Sequence, residues 1–360
     1  YLWSKIIIMF TLSAIQTFMF VLVGNLIMGV KGMFCDYWMV LFSASCFANM
    51  LGLNISSAFN SAVTIYISIP FLIIPQLLLA GVVVKFDKLN PILAKQGGVP
   101  IVGEMMASRW AFEALAVNQF KANEFHKHFY RFEKSISIAG YKKVYWIPEL
   151  TSKITKINNA LKDPSKKAEL EKDLALLKNE LLKEQTFLKG KYKFDGIEQL
   201  NPKDYTPAIG ASLKVFLEKI NENYINVDKK ARELKDKETQ KMIKELGGNE
   251  QFITLQDDYT NEALNQFVLN NNDLGLRCLE HEGRLIQRTE PVYLDPIESN
   301  LGAAHFYAPN KRFMGQLFPT YWFNMAVIWL MSISLMVMLY FEVFKKVLDA
   351  MGNISFKKKK

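Results

Sequence analysis

Between Tyr37 and Val84 the chain runs for 48 residues without one Asp, Glu, Lys or Arg. At 1.5 Å per residue such a run makes a helix of about 72 Å, whereas the hydrocarbon core of a bilayer is about 30 Å thick. The run is therefore expected to cross a membrane twice. Its most polar part, Asn54–Ser61, holds Asn and Ser side chains that bond turn backbone, and the fold-back is placed there.

Two further uncharged runs, Ile6–Val30 and Phe313–Phe341, complete the count. The expected fold class is an all-α integral membrane protein with four transmembrane helices, three at about 6–30, 37–56 and 62–84 within residues 1–84 and the last at 313–344. The first run is longer than the apolar core of a signal peptide and reads as a span. Tyr1 is no initiator, and the apolar helix starts almost at once, so sequence is expected upstream.

An even number of spans puts both ends on one side. The tail 345–360 carries Lys345, Lys346 and Lys357–Lys360, so the positive-inside bias places both ends in the cytoplasm and 85–312 outside, on the periplasmic face of an inner membrane. The net charge of +9 follows the same logic. Residues 85–312 carry 36 basic and 32 acidic residues and the tail from Phe341 onward 6 and 2, so each region contributes +4. The concentrated basic run is a juxtamembrane anchor for acidic lipid, and nucleic acid is not an expected partner. Three cysteines, Cys35, Cys46 and Cys278, make no disulfide framework.

Residues 85–129 read as a re-entrant or interfacial segment, and 130–312 are long enough for a helical domain of their own. Leu150, Ile154, Ile157 and Leu161 are spaced 4, 3, 4. Asp163-Pro164 then reads as a cap followed by proline at the first helical position, and Leu170, Leu174, Leu177, Leu181 and Leu188 continue the rhythm. Leu213, Leu217, Ile220, Tyr224, Val227, Ala231 and Leu234 repeat it up to Gly247-Gly248. Narrow apolar stripes among Lys and Glu predict antiparallel coiled-coil-like helices; an ordinary bundle would differ only in the width of the stripe.

No motif supports catalysis. The chain has no G-x-x-x-x-G-K-[ST] and no G-x-S-x-G; His281-Glu282 opens like a zinc-protease motif, but position 285 is Leu; His126 and His128 have no ligand partner at a recognisable spacing. No catalytic, metal or cofactor-binding residue is assigned. The stronger lead is the set of polar residues within apolar runs, because in hydrocarbon each must find a partner or face water. Gln16, Asn25, Asn49, Asn60 and Gln76 are the candidates for a substrate pathway or for bonds between helices. The spans hold no buried charge, which favours an external energy source over ion coupling.

The stretch Ile69–Val84, with Leu89-Asn90-Pro91, Ala107–Leu115 and Asn118-Gln119-Phe120, resembles the membrane half of ABC exporters of the white (ABCG) type. In that family the fifth transmembrane helix carries a small apolar-Gly turn, and the chain re-enters the outer leaflet through short helices. An aromatic stretch S-x-x-x-x-x-E-A-L follows; here Glu113-Ala114-Leu115 match its end, and Ser108 stands for its Ser with four residues before Glu113 where the pattern has five. The resemblance implies that the four spans are the family's helices three to six. It further implies a partner nucleotide-binding domain that supplies ATP and Mg, a second transporter half as homo- or heterodimer, and export of amphipathic or lipid-like cargo by alternating access.

Two features depart from the family: 130–291 is a large insertion, and the nucleotide-binding domain is not in the chain. ABC proteins with a coiled periplasmic stalk between the first and second spans are disfavoured, since the large segment here follows the third span. Gly81 is expected at a tight turn or close approach. Arg109 and Glu113, at i and i+4, are expected to neutralise each other beside the interfacial anchor Trp110. The alternative is a non-transporting membrane scaffold whose exterior hairpin docks a protein partner.

Overall fold

A computed structural model of the chain describes residues 2–59, 61–86, 89, 98–161, 163–270, 277–296 and 302–357. The chain divides into two units: Tyr1–His126 with Leu255–Leu264 and Asp295–Lys360, and Lys127–Thr254 with Asn265–Leu294.

In the first unit the uncharged runs form α1 (Leu2–Met28), α2 (Phe34–Ala58) and α3 (Ala62–Leu78), and the last run forms α12 (Thr320–Tyr340). Short α4 (Ile101–Glu104) and then α5 (Ala107–Ala122) follow α3. Among the described residues three helices, α1, α2 and α12, are long and apolar enough to cross a membrane. The shorter apolar α3 spans only about 26 Å at 1.5 Å per residue, so the helix expected over 62–84 stops early. Pro70 and Pro75 lie inside it and leave the carbonyls of Tyr66 and Phe71 without their usual N–H partner.

The fold-back is narrower than the polar stretch that signalled it. α2 continues through Asn54 to Ala58, because the buried Asn54 amide donates back to the Met50 carbonyl and across to the Leu335 carbonyl of α12, both at 2.8 Å. Asn54 is thus a helix-to-helix bond rather than a turn residue.

α2 lies at the centre of this unit and packs against α1, α5 and α12. Trp38 donates to the Ala14 carbonyl at 3.1 Å, Asn49 and Ser45 donate to Ser13 at 2.8 and 2.9 Å, and Trp329 donates to Ser43 at 3.0 Å. Ala107, Ala111 and Ala114, at i, i+4 and i+7, give α5 a small-residue face that meets Val40, Phe47, Tyr321, Met325 and Ile328.

The second unit holds most of α6 (His126–Tyr141), α7 (Ile147–Ala160), α8 (Lys167–Phe187), α9 (Pro207–Leu246) and parts of α10 (Asn249–Tyr259) and α11 (Glu262–Leu269). Its core takes Leu150, Ile154 and Ile157 from α7, Leu170, Leu174, Leu177 and Leu181 from α8, and Leu213, Leu217, Ile220 and Tyr224 from α9. The spaced residues at the far ends, Leu161, Val227 and Leu234, are exposed. Leu176 beside Leu177 and Phe216 beside Leu217 are buried too, so the apolar face there is wider than a 3.5-residue stripe.

Asp163 caps as the sequence indicates, accepting from the Ser165 backbone N–H at 3.0 Å. α9 ends at Gly247, in the left-handed region at φ 90°. A π-helical turn, Lys142–Trp146, places Trp146 in the core, where its indole donates to Glu180 at 2.6 Å.

Two hairpins modify the all-helical expectation. β1 (Cys278–His281) pairs with β2 (Arg284–Gln287), and β3 (Asn310–Phe313) with β4 (Gln316–Pro319), both antiparallel. Each closes through two left-handed residues, Glu282-Gly283 and Met314-Gly315, the backbone a two-residue hairpin turn needs. His281-Glu282 therefore sits at a hairpin turn and not on a helix. The second hairpin delays the last helix: 313–319 are strand and turn, and α12 starts at Thr320.

Charge pairing ties the first hairpin down. Lys153 donates to Asp173 at 2.7 Å and to Glu280 at 2.6 Å, and the Leu285 N–H donates to Glu180 at 3.0 Å. Burial pushes the Glu280 carboxyl up, but the hydrogen bond and charge of Lys153, with Lys172 behind them, hold it below the usual carboxylate range. Asp228 is likewise held low despite burial by Lys143, at 2.6 Å, and by Arg232.

Candidate functional site: a buried charge cluster on the fifth helix

Four of the five residues picked out around the re-entrant motif sit together on α5 or beside it. Arg109 and Glu113 are both fully buried, with Nη1 and Oε2 3.5 Å apart. They are not a self-contained pair, which corrects the expectation from their spacing. The Glu113 carboxylate meets Lys311 of β3 more closely, at 2.7 Å, and Lys311 is itself fully buried. The Tyr307 N–H donates to the same carboxylate oxygen at 3.1 Å, and Asn324 of α12 donates to the other at 2.9 Å. Arg109 turns its other terminal nitrogen to Glu104 of α4, at 3.0 Å.

Trp110 completes the cluster: its indole N–H donates to the Glu104 carbonyl at 2.8 Å, and the Arg109 guanidinium lies 3.9 Å from its ring. Two carboxylates and two cations leave no formal net charge. That balance is what makes the burial tolerable, since an isolated buried ion costs several kcal/mol. In physical terms the cluster fastens α4, α5, β3 and the start of α12 to one another.

Ser108 acts on the opposite side. Its hydroxyl donates to the Gln76 carbonyl at 2.6 Å, and its backbone N–H reaches the Gln76 side-chain oxygen at 3.2 Å. Gln76 lies in the last turn of α3, where carbonyls lack intrahelical partners, so Ser108 satisfies one of them and joins α3 to α5. Gly81 follows in a left-handed turn at φ 82°, and a Cβ there would stand 2.8 Å from the rings of Phe306 and Phe86. Both the turn and the close approach require glycine.

The other sequence-predicted polar residues scatter. Asn49 is occupied by Ser13, Gln16 is exposed on α1, and Asn25 is half-buried near its end. Asn60 lies outside the described residues. None of these four joins the cluster. Sequence reasoning missed Glu104, Lys311 and Asn324. The available signals were weak: Lys311 and Arg312 are charges just before an uncharged run, and Glu104 stands five residues before Arg109. Among the described residues no group of three or more His, Cys, Asp or Glu is placed to hold a metal.

No curated protein and no solved structure matches the chain. Residues 1–120, which carry α1 to α4 and nearly all of α5, match the family model of the ABC-2 type transporter. With three helices able to span a bilayer, that match supports an integral membrane protein bearing an ABC-2 type transporter permease domain, a kind of domain that normally pairs with nucleotide-binding domains.

Proposed function

We propose that the chain is the permease portion of an ATP-driven exporter of the white type, moving amphipathic or lipid-like cargo by alternating access. The observation that carries this reading is the family match over 1–120, the segment that holds the Ser108–Leu115 motif. A nucleotide-binding domain, fused upstream or separate, would hold ATP and Mg and drive the helices, and a second half would complete the pathway.

In this reading 1–84 carry three spans, with α3 as the third. Residues 85–129 form the re-entrant segment, the charge cluster anchors it, 130–312 are the periplasmic helical insertion, and both ends are cytoplasmic. Pathway residues are sought first at Gln16 and Asn25, since Asn49 and Gln76 are engaged by neighbouring helices. An exposed amide on a spanning helix has to meet water, cargo or another chain.

The test is purification of the intact gene product from its own membrane, followed by reconstitution in proteoliposomes. Co-purifying ATP hydrolysis that drives movement of a fluorescent lipid analogue is expected. A complex with no ATPase and no transport would favour the scaffold, in which the helical unit docks a protein partner.

A further inference from the structure

A helix that the transport reading does not use follows the last span. α12 ends at Tyr340, Glu342 takes a left-handed conformation at φ 52°, and α13 (Val343–Lys357) begins at once and packs against α2 and α12. Two linking residues cannot carry a helix away from the end of a span, so α13 starts at the level where α12 leaves the hydrocarbon.

Its sequence separates into two faces: Val343, Phe344, Val347 and Leu348 lie on one arc, and Lys345, Lys346 and Asp349 on the other. Phe344 and Leu348 are half-buried, but Val347, at the centre of the apolar arc, is 51% exposed. Leu330, Ile333, Val337 and Tyr340 form an exposed stripe along α12 at spacings 3, 4 and 3, the stripe a spanning helix turns to lipid, and Phe341 and Val347, past the break, are exposed as well.

We infer that α13 is an interfacial helix that seats its apolar arc at the headgroup–acyl boundary and holds acidic phospholipid through Lys345 and Lys346. Three observations fix the occupant. The open apolar arc begins two residues after a helix apolar enough to span a bilayer; the two lysines at its edge are exposed; and the chain continues into Lys357–Lys360. Amphipathic helices with a basic polar face bind in the interface plane, and each added cation strengthens attachment to an anionic leaflet. The inference rests on the chain's being a membrane protein and not on what it transports.

The test uses the full chain, with its three cysteines replaced by serine, a single cysteine at Val347→Cys carrying an environment-sensitive fluorophore, and nanodiscs of phosphatidylcholine with or without phosphatidylglycerol. Emission at 347 should shift to the blue and be quenched by brominated acyl chains, more strongly with phosphatidylglycerol. Lys345→Glu/Lys346→Glu or high salt should remove the phosphatidylglycerol-dependent part. A parallel Leu330→Cys label, quenched in every sample, shows that α12 is in place. A water-exposed, unquenched label at 347 beside a quenched label at 330 would overturn the inference. So would a label shielded from water and lipid alike, which would mean a protein covers the arc. Quenching indifferent to phosphatidylglycerol and to charge reversal would refute the acidic-lipid contact.

Discussion

Replacing Lys311 with Met tests the charge cluster most directly. The substitution keeps the length and removes the cation nearest to Glu113, which stays buried with Arg109 3.5 Å away. At 2.7 Å and an effective dielectric constant of about 20, the gross attraction of the lost pair is ~6 kcal/mol, and desolvation of the two ions offsets much of it. What remains is the cost of leaving a buried charge undercompensated, about 3–5 kcal/mol when one partner of a buried pair is removed. Glu113→Gln alone strands Lys311 in the same way.

The double substitution removes both ions while Tyr307 and Asn324 still have a polar partner, so it should recover part of the loss, with a coupling in the upper part of the ~0.5–3 kcal/mol range for contacting groups. The Arg109/Glu113 cycle should couple less, because Glu104 holds Arg109 in either case. Reversible unfolding in mixed micelles, monitored by Trp fluorescence, measures all four terms. A Lys311→Met protein as stable as the unaltered one, or a strictly additive double mutant, would refute the reasoning.

Gly81→Ala should lower the yield of folded protein by size-exclusion analysis, since the left-handed backbone costs a Cβ about 1–2 kcal/mol before Phe306 and Phe86 are displaced. Ser108→Ala should destabilise by about 1–3 kcal/mol in the same micelle assay, by stranding the Gln76 carbonyl; Ser108→Thr, which keeps the hydroxyl, should lose less. Acid should loosen the helical unit. Carboxyls held low in the folded state contribute stability above their unfolded pKa of about 4 and lose it as pH falls through the folded value, so protection from hydrogen exchange in α8, β1 and β2, taken relative to the intrinsic rate at each pH, should fall on acidification, and Glu280→Gln should blunt that response. Cysteine at Glu198, an exposed position, should react with an impermeant maleimide from outside intact cells; labelling only after lysis would reverse the proposed orientation.

The legible parts of this chain are those where one physical term dominates. A run of 48 residues without charge has few soluble uses, so the membrane helices were readable from composition alone. Leu150 to Ile157, Leu170 to Leu181 and Leu213 to Tyr224 were readable because a period near 3.5 residues points one face inward, and that face is buried. Both hairpins were missed because their turns are Glu-Gly and Met-Gly, where Asn-Gly or Asp-Gly is the strong signal. That omission moved the start of the last helix, since the uncharged count from Phe313 includes β4.

The cluster was half legible for the same kind of reason. Arg109 and Glu113 share one helix face, which spacing reveals, but Lys311 lies 198 residues from Glu113, and no local pattern announces that approach. Its position does carry a trace in retrospect: a lysine fully buried just before a span needs a carboxylate nearby, and Glu113 is such a carboxylate on a helix lined with alanine. Small residues let the backbones close, and close backbones exclude the water that would otherwise solvate the ions. The polar spots on α2, α3 and α5 obey the same constraint, because each amide or hydroxyl engaged by a neighbouring helix is one the bilayer does not have to accommodate. Gln16, exposed on α1, is where that reasoning stops being local. In the proposed transport reading its partner comes from water, from cargo or from another chain, which is why a transport assay rather than a stability assay is the measurement suited to it.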